Sequence, residues 1–247
     1  MLIIMNKNAV ITGSNRGIGL ETLKIFAKNG INVWACTRSY SDDTVKLFDE
    51  LSAEYGVWIK RVPFDLDDRS CIKEAAKSIV REKKQIDILV NNAGITYSGM
   101  FHMTSAEDLD KVMTVNFINP MFFTQLISRQ MVRQKNGSIV NVASTRGISP
   151  IEGSFAYGSS KAAVVYATGQ LAKELGHFNI RVNAVAPGRT NTEMGTADLS
   201  SGDIEKVVSL STLKRLGKPE EIASMIYYLA DCNDFITGQT IRVDGGV

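Results

Sequence analysis

The chain of 247 residues has only two histidines and three cysteines, and both scarcities narrow its chemistry. His102 and His177 stand far apart with no clustered cysteine or carboxylate partner at ligand spacing, so no metal centre is expected. Cys36, Cys71 and Cys232 are odd in number, widely separated and free of any Cys-x-x-Cys pair, which argues against a disulfide framework and fits a reducing compartment. They read as buried thiols. The longest apolar runs, such as 180–187, fall far short of the roughly 20 residues that span a bilayer, so no membrane anchor is expected. Residues 1–5 are apolar but too short for a signal-peptide core and lack a basic start, so they read as a ragged first strand or an upstream start codon. A cytoplasmic protein is expected. Neither sign of charge dominates: 28 Lys and Arg against 26 Asp and Glu leave a net +2, with no basic stripe to hold nucleic acid. No repeat, low-complexity tract or Pro/Gly/Ser linker divides the chain. Its length suits one α/β domain over 1–247, large enough to bury both faces of a sheet.

Short apolar, β-branched runs recur at 9–12, 31–37, 57–64, 86–90, 138–142, 180–186 and 239–243. Such runs read as strands buried on both faces. Between them, helical apolar spacing marks 18–28, 69–83, 106–134, 155–175 and 219–230. Alternating β and α elements imply a parallel, doubly wound sheet with right-handed crossovers and helices on both faces. Seven strands ordered 3-2-1-4-5-6-7, a Rossmann-like arrangement, are predicted. The polar, small-residue segment 198–212 is the segment expected to move.

The first strand runs into Thr12-Gly13-Ser14-Asn15-Arg16-Gly17-Ile18-Gly19, where the first helix opens. In that context Gly13 permits a tight turn, Gly17 lets backbone approach a pyrophosphate, and Gly19 lets the helix pack closely on the sheet. The helix N-terminus attracts the phosphates. No Gly-Lys-Ser/Thr follows, so this is not a P-loop. An acidic residue ending the second strand would hydrogen-bond the ribose 2′-hydroxyl of NAD, but the strand ends Cys36-Thr37-Arg38. Arg38 can pair with a 2′-phosphate in bidentate fashion and Arg16 can reach the same group, so NADP(H) is favoured.

Tyr157 and Lys161 stand four residues apart, just over one helical turn, which puts a phenol and an ammonium on one face. A cation in reach favours the phenolate and draws a tyrosine from its ordinary value of about 10 toward neutral pH, as proton donation to a ketone requires. Ser144 stands thirteen residues upstream of Tyr157. With the glycine turn, Asn91-Asn92-Ala93-Gly94, Asn116 and Pro187-Gly188 in that order, the chain resembles the short-chain dehydrogenase/reductase family over about residues 7–246.

The resemblance implies roles residue by residue. Tyr157 donates the proton as hydride reaches the carbonyl, Ser144 polarises that carbonyl, Lys161 tunes Tyr157 and holds the nicotinamide ribose, and Asn116 supports a proton-supplying water chain. It extends the cofactor site to Asp65, Leu66, Asn92, Pro187, Gly188, Thr190 and Thr192. Asp65 would meet the adenine amine, Asn91, Ala93 and Gly94 would pack along the adenosine, and Thr192 would lie near the nicotinamide amide or pyrophosphate. The stretch from Leu213 to Glu221 and the closing Val243-Asp244-Gly245-Gly246 most resemble bacterial 3-oxoacyl-[acyl-carrier-protein] reductases, which implies a 3-oxoacyl thioester substrate, possible carriage on acyl carrier protein and a role in fatty acid biosynthesis. Lys135 and Lys173 fall where that group's basic contacts lie. The stretch from Thr145 to Gly153 departs from its pattern, and Arg146 and Glu152 suit a small polar or anionic ketone, so keto-sugar and polyol reactions stay open. A non-catalytic NADP(H) sensor is the other reading, against which all four catalytic residues survive. Apolar side chains on the two long helices, Phe117, Met121, Phe122, Val164, Val165 and Leu171, exceed what one sheet face covers and, with the resemblance, imply a homotetramer.

Overall fold

The computed structural model describes residues 6–196 and 201–247, so the apolar pentapeptide 1–5 and residues 198–200 of the segment expected to move lie outside the described residues. Seven strands form one parallel sheet: β1 (Asn8–Thr12), β2 (Asn32–Thr37), β3 (Ile59–Pro63), β4 (Ile88–Asn91), β5 (Gly137–Val142), β6 (Ile180–Pro187) and β7 (Thr240–Val243). Their order is β3-β2-β1-β4-β5-β6-β7, as the alternation of elements predicts. Register is set by side chains that alternate between two cores. Val10, Trp34, Leu89 and Ile139 enter one; Ile11, Val33, Ala35, Val90 and Val140 enter the other.

Helices cover both faces. α3 (Arg69–Arg81), α5 (Asn119–Gln134) and α6 (Phe155–Leu175) bring Ile72, Phe123, Ile127 and Ala172 to the first core. α1 (Gly17–Lys28), α2 (Asp42–Tyr55) and α9 (Pro219–Tyr227) bring Leu23, Phe26, Phe48 and Ile226 to the second. Each such large side chain contributes about 1.5–3 kcal/mol on full burial. Between α6 and α9 run the short α7 (Glu193–Thr196) and α8 (Ser201–Leu210), and α4 (Ala106–Met113) precedes α5.

Three expectations need correcting. The stretch 106–134 is not one helix: a π turn over Thr114–Ile118 separates α4 from α5, and Asn116 lies within it. β3 is an edge strand with a neighbouring strand on one side only, and its Lys60 and Arg61 are exposed, so it is not buried throughout. Of the cysteines only Cys36 is buried; Cys232 is exposed at the end of a π turn that follows α9.

The strand order reverses between β1 and β4, and in such sheets the crevice opens beyond the C-terminal strand ends at that reversal. There the glycine turn, Arg38, the Asn-Asn-Ala-Gly segment and Ser144 all emerge.

Candidate active site

A cleft of about 670 Å³ occupies that crevice. At one end lies the turn between β1 and α1. Gly13 and Gly17 adopt left-handed backbone, with φ of 67° and 52°, which side chains disfavour. Gly19 faces back into the fold: a Cβ there would stand 2.0 Å from the Gly13 carbonyl oxygen and 2.5 Å from Asn92 Nδ2. Thr12 Oγ1 ties the turn to its neighbour by accepting from the backbone N–H groups of Asn92 and Ala93, both at 3.0 Å. Nothing in the sequence marks this role of Thr12, since a threonine at a strand end is ordinary β composition.

The start of α1 differs from those of α2, α3 and α4. Ser41, Asp68 and Ser105 cap α2, α3 and α4 with side-chain oxygens, whereas Arg16 gives α1 no side-chain cap and no acidic residue stands in its first turn. Its first N–H groups and the positive end of its dipole therefore face the cleft uncompensated, which fits a pyrophosphate. Asn15, Arg16 and Ile18 line the same wall. Ser14 does not: it is fully buried, with its hydroxyl unpartnered, on the far side of the turn.

Arg38 is exposed at the end of β2 and lines the cleft with Thr37 and Ser39. Arg16 instead forms an ion pair with Glu193 of α7, across the cleft mouth. Asp65 and Leu66 follow β3 on the same wall, as do Asn92, Ala93 and Gly94 after β4. Asn91 turns the other way. Its Nδ2 donates to Thr124 Oγ1 at 2.7 Å and to Asn141 Oδ1 at 2.8 Å inside the fold, so it does not pack along an adenosine.

The opposite end holds Ser144, Tyr157 and Lys161. Ser144 follows β5 in extended backbone and accepts a 3.2 Å hydrogen bond from the Arg146 N–H. Tyr157 stands in the first turn of α6, where its phenol hydrogen-bonds with Ser144. One turn on, Lys161 is 5% exposed; its Nζ donates to the Val142 carbonyl at 2.9 Å and lies 5.8 Å from the Tyr157 ring centroid. Gly94 leaves room for it: a Cβ there would be 2.9 Å from Asn116 Oδ1 and 3.7 Å from Lys161 Nζ.

The electrostatics depart from expectation. Burial lowers Lys161 to about 8, since its carbonyl partner does not offset the loss of water around the ammonium. Tyr157 is raised, not lowered. Burial is the largest cause, and the hydrogen bond with Ser144 and the charges of Arg146 and Arg189 only partly offset it. The lysine turns toward Val142, so its charge does not dominate the phenol.

Asn116 lies behind this end, 2% exposed. Its Oδ1 accepts from the Ile95 N–H at 2.8 Å, and its Nδ2 donates to the Ile95 carbonyl at 2.9 Å and to Ser160 Oγ at 3.1 Å. It borders a separate void of about 10 Å³ beside Lys161, Asn91 and Asn141, the room of roughly one water. π turns recur at functional sites because the extra residue re-aims side chains. Pro187, Gly188, Thr190 and Thr192 close the cleft from the end of β6. A Cβ on Gly17 would meet Thr192 Cγ2 at 3.3 Å, so the pyrophosphate turn and this closing segment are neighbours. Among the described residues, no group of three His, Cys, Asp or Glu side chains could hold a metal ion.

Residues 7–201 match the family model described as short chain dehydrogenase. The chain belongs to that family. Among its relatives, the 3-oxoacyl-[acyl-carrier-protein] reductase of Thermotoga maritima is 41% identical, with 98% of this chain and 97% of the relative covered. The 3α-hydroxysteroid dehydrogenase of Mediterraneibacter gnavus is 34% identical over 99% of this chain and 98% of its own. A solved structure described as ElxO with NADP bound superposes with a TM-score of 0.87 at 33% identity, covering 98% of each chain. As a short-chain dehydrogenase, the protein is an oxidoreductase of CH–OH and C=O groups that uses a nicotinamide cofactor. No helix among the described residues is long and apolar enough to cross a membrane.

Proposed function

We propose that this enzyme uses NADPH to reduce a ketone carbonyl to a secondary alcohol, with Tyr157 as proton donor, and that 3-oxoacyl compounds are its substrate class. The observation that carries the reading is one cleft with an uncapped helix start and Arg38 at one end and Ser144, Tyr157 and Lys161 at the other. Nicotinamide supplies the hydride when bound.

The protein's own groups do the rest. The uncapped α1 start holds the pyrophosphate, and Arg38 pairs with a 2′-phosphate where no acidic residue repels it. The raised phenol of Tyr157 is protonated at neutral pH, which is the form that gives a proton to the carbonyl oxygen. Ser144 Oγ, against the phenol, donates to that same oxygen. Lys161, at about 8, is mostly charged at neutral pH; it favours the phenolate left behind and holds the nicotinamide ribose. Asn116 positions α6 through Ser160, whose hydroxyl donates to the Tyr157 carbonyl at 2.7 Å, and supports a water route to Lys161.

The 3-oxoacyl class is argued from the Thermotoga maritima relative, and the NADP(H) preference from Arg38 with the NADP-bound ElxO. Lys135 and Lys173 are exposed and suit an acidic carrier protein, and the reading places the enzyme in the cytoplasm. The test is Tyr157→Phe, assayed by NADPH oxidation with a 3-oxoacyl thioester and by NADPH titration. Turnover is expected to fall by more than about a hundredfold with cofactor affinity nearly unchanged, since only the proton donor is removed. Activity within about tenfold of wild type would remove Tyr157 from that role.

A further inference from the structure

Phe64, Asp65, Leu66 and Asp67 follow β3 and line one wall of the cleft. The four lie between β3 and α3, outside any helix or strand, so their backbone groups depend on partners from elsewhere. The Leu66 carbonyl accepts from Asn119 Nδ2 at 2.6 Å, and Leu66 is 6% exposed, so water is a poor replacement for that donor. Asn119 is itself buried, at the first position of α5. Four residues on, Phe123 packs on Phe64 with ring centroids 4.7 Å apart, so one face of α5 backs the segment twice. On the other side Lys111 of α4 pairs with Asp67.

An amide serves two partners at position 119. While Nδ2 donates to Leu66, Oδ1 accepts from Arg69 Nε at 3.0 Å. The two bonds end in different places: Leu66 lines the cleft, whereas Arg69 opens α3 and does not line it. The bond to Arg69 fastens helix to helix. The bond to Leu66 fixes where the cleft wall stands. The π turn sets the register of this support, since it ends at Ile118 and also carries Asn116, whose side chain reaches Ile95 and Ser160. Taking its extra residue away would swing one amide about 100° around the axis relative to the other.

We propose, on the NADP(H) reading of the cleft, that Asn119 is a positioning residue for the cofactor: by holding the Leu66 carbonyl it keeps the wall facing the adenosine half of NADPH at the spacing that half needs. Asn119 does not line the cleft and acts through Leu66. The nicotinamide end is held by other bonds, those of Asn116, Ser160 and Lys161.

The experiment titrates binding with two probes: NADPH, and adenosine 2′,5′-bisphosphate, which carries the adenosine half without nicotinamide. The proteins are the wild type, Asn119→Asp and Arg69→Met. Asn119→Asp keeps an acceptor for Arg69 but has no donor for Leu66, and Arg69→Met removes the other bond alone. Asn119→Asp should weaken both probes by the same factor, about threefold to tenfold, the effect of one buried hydrogen bond, while Arg69→Met leaves both within about twofold. A side chain that merely fastened α5 to α3 would give the reverse order. Should Asn119→Asp fail to fold, Asn119→Ala, which loses both bonds, takes its place against Arg69→Met. Unchanged binding in the Asn119 variant, an equal loss in Arg69→Met, or a loss for NADPH that the bisphosphate does not share would overturn the proposal. A wild type that binds NADPH and not the bisphosphate would overturn it as well, because the adenosine wall would then contribute no affinity, and the NADP(H) reading would stand. A wild type that binds neither probe would overturn both.

Discussion

Replacing Lys161 with methionine, which keeps an unbranched stem in the same space, should change how stability depends on pH. The ammonium is 5% exposed and its folded-state value of about 8 stands below the ordinary 10.5. Below pH 8 the folded protein carries the full cost of burying that charge. Between 8 and 10.5 the unfolded chain still holds a proton that the fold has released, so stability rises with pH; above 10.5 the cost is gone. At about 1.36 kcal/mol per unit, the wild type should gain about 2.5 kcal/mol on Lys161→Met between pH 7 and pH 10. Urea unfolding without added cofactor, at one chain concentration for both proteins, measures this by the fluorescence of Trp34, fully buried, and Trp58 against it. The difference between the two proteins cancels every other group that titrates alike in both. A difference that stays flat within about 0.5 kcal/mol from pH 7 to 10, or that moves against the wild type, would refute the assignment of a buried, easily deprotonated lysine.

Arg38→Asp should reverse the order of cofactor affinities: the wild type is expected to bind NADPH at least about tenfold more tightly than NADH, worth about 1.5–3 kcal/mol as a charged hydrogen bond, and equal affinities would make Arg38 a mere surface charge. Gly19→Ala would drive a methyl against the Gly13 carbonyl oxygen, 2.0 Å from the ideal Cβ, so it should cost about 1–3 kcal/mol and weaken NADPH binding in titration and thermal melts. Gly169→Ala, inside α6 with nothing within 4 Å, is its control and should stabilise by about 1 kcal/mol or less. For assembly, Phe101, Phe155 and Tyr166 are exposed, with Phe101 and Phe155 edge to face at 4.8 Å between ring centroids, and a homotetramer would cover such surface. Sedimentation at micromolar concentration should show that tetramer; a sole species at the 27.1 kDa chain mass would defeat it.

The sheet was legible because its strands are short, apolar on both faces and separated by helical spacing; the strand ends shift by only a residue or two in most cases. α2 escaped because it buries only Phe48 and Leu51, too narrow a stripe for periodicity to mark. The π turn escaped for a different reason. Apolar spacing continues on both sides of Thr114–Ile118, and one extra residue in the hydrogen-bond ladder leaves no mark in composition, although it is what carries Asn116 to Ile95 and Ser160.

The adjacent pair Asn91 and Asn92 marks where sequence reasoning stops. Successive residues at a strand end point to opposite sides, so one amide must enter the fold and the other must meet the glycine turn, and spacing alone does not say which. The structure sends Asn91 inward to Thr124 and Asn141, and uses Asn92 to bind the Thr12 and Gly13 carbonyls at 3.0 and 3.1 Å. The phenol's acidity is of the same kind. Tyr157 and Lys161 share a face, as their spacing requires, yet the Val142 carbonyl, brought there by the end of β5, accepts the lysine's hydrogen bond and leaves burial to set the tyrosine. Residue type and spacing name the groups that meet; the third partner, supplied by a distant strand, decides what each does to the other.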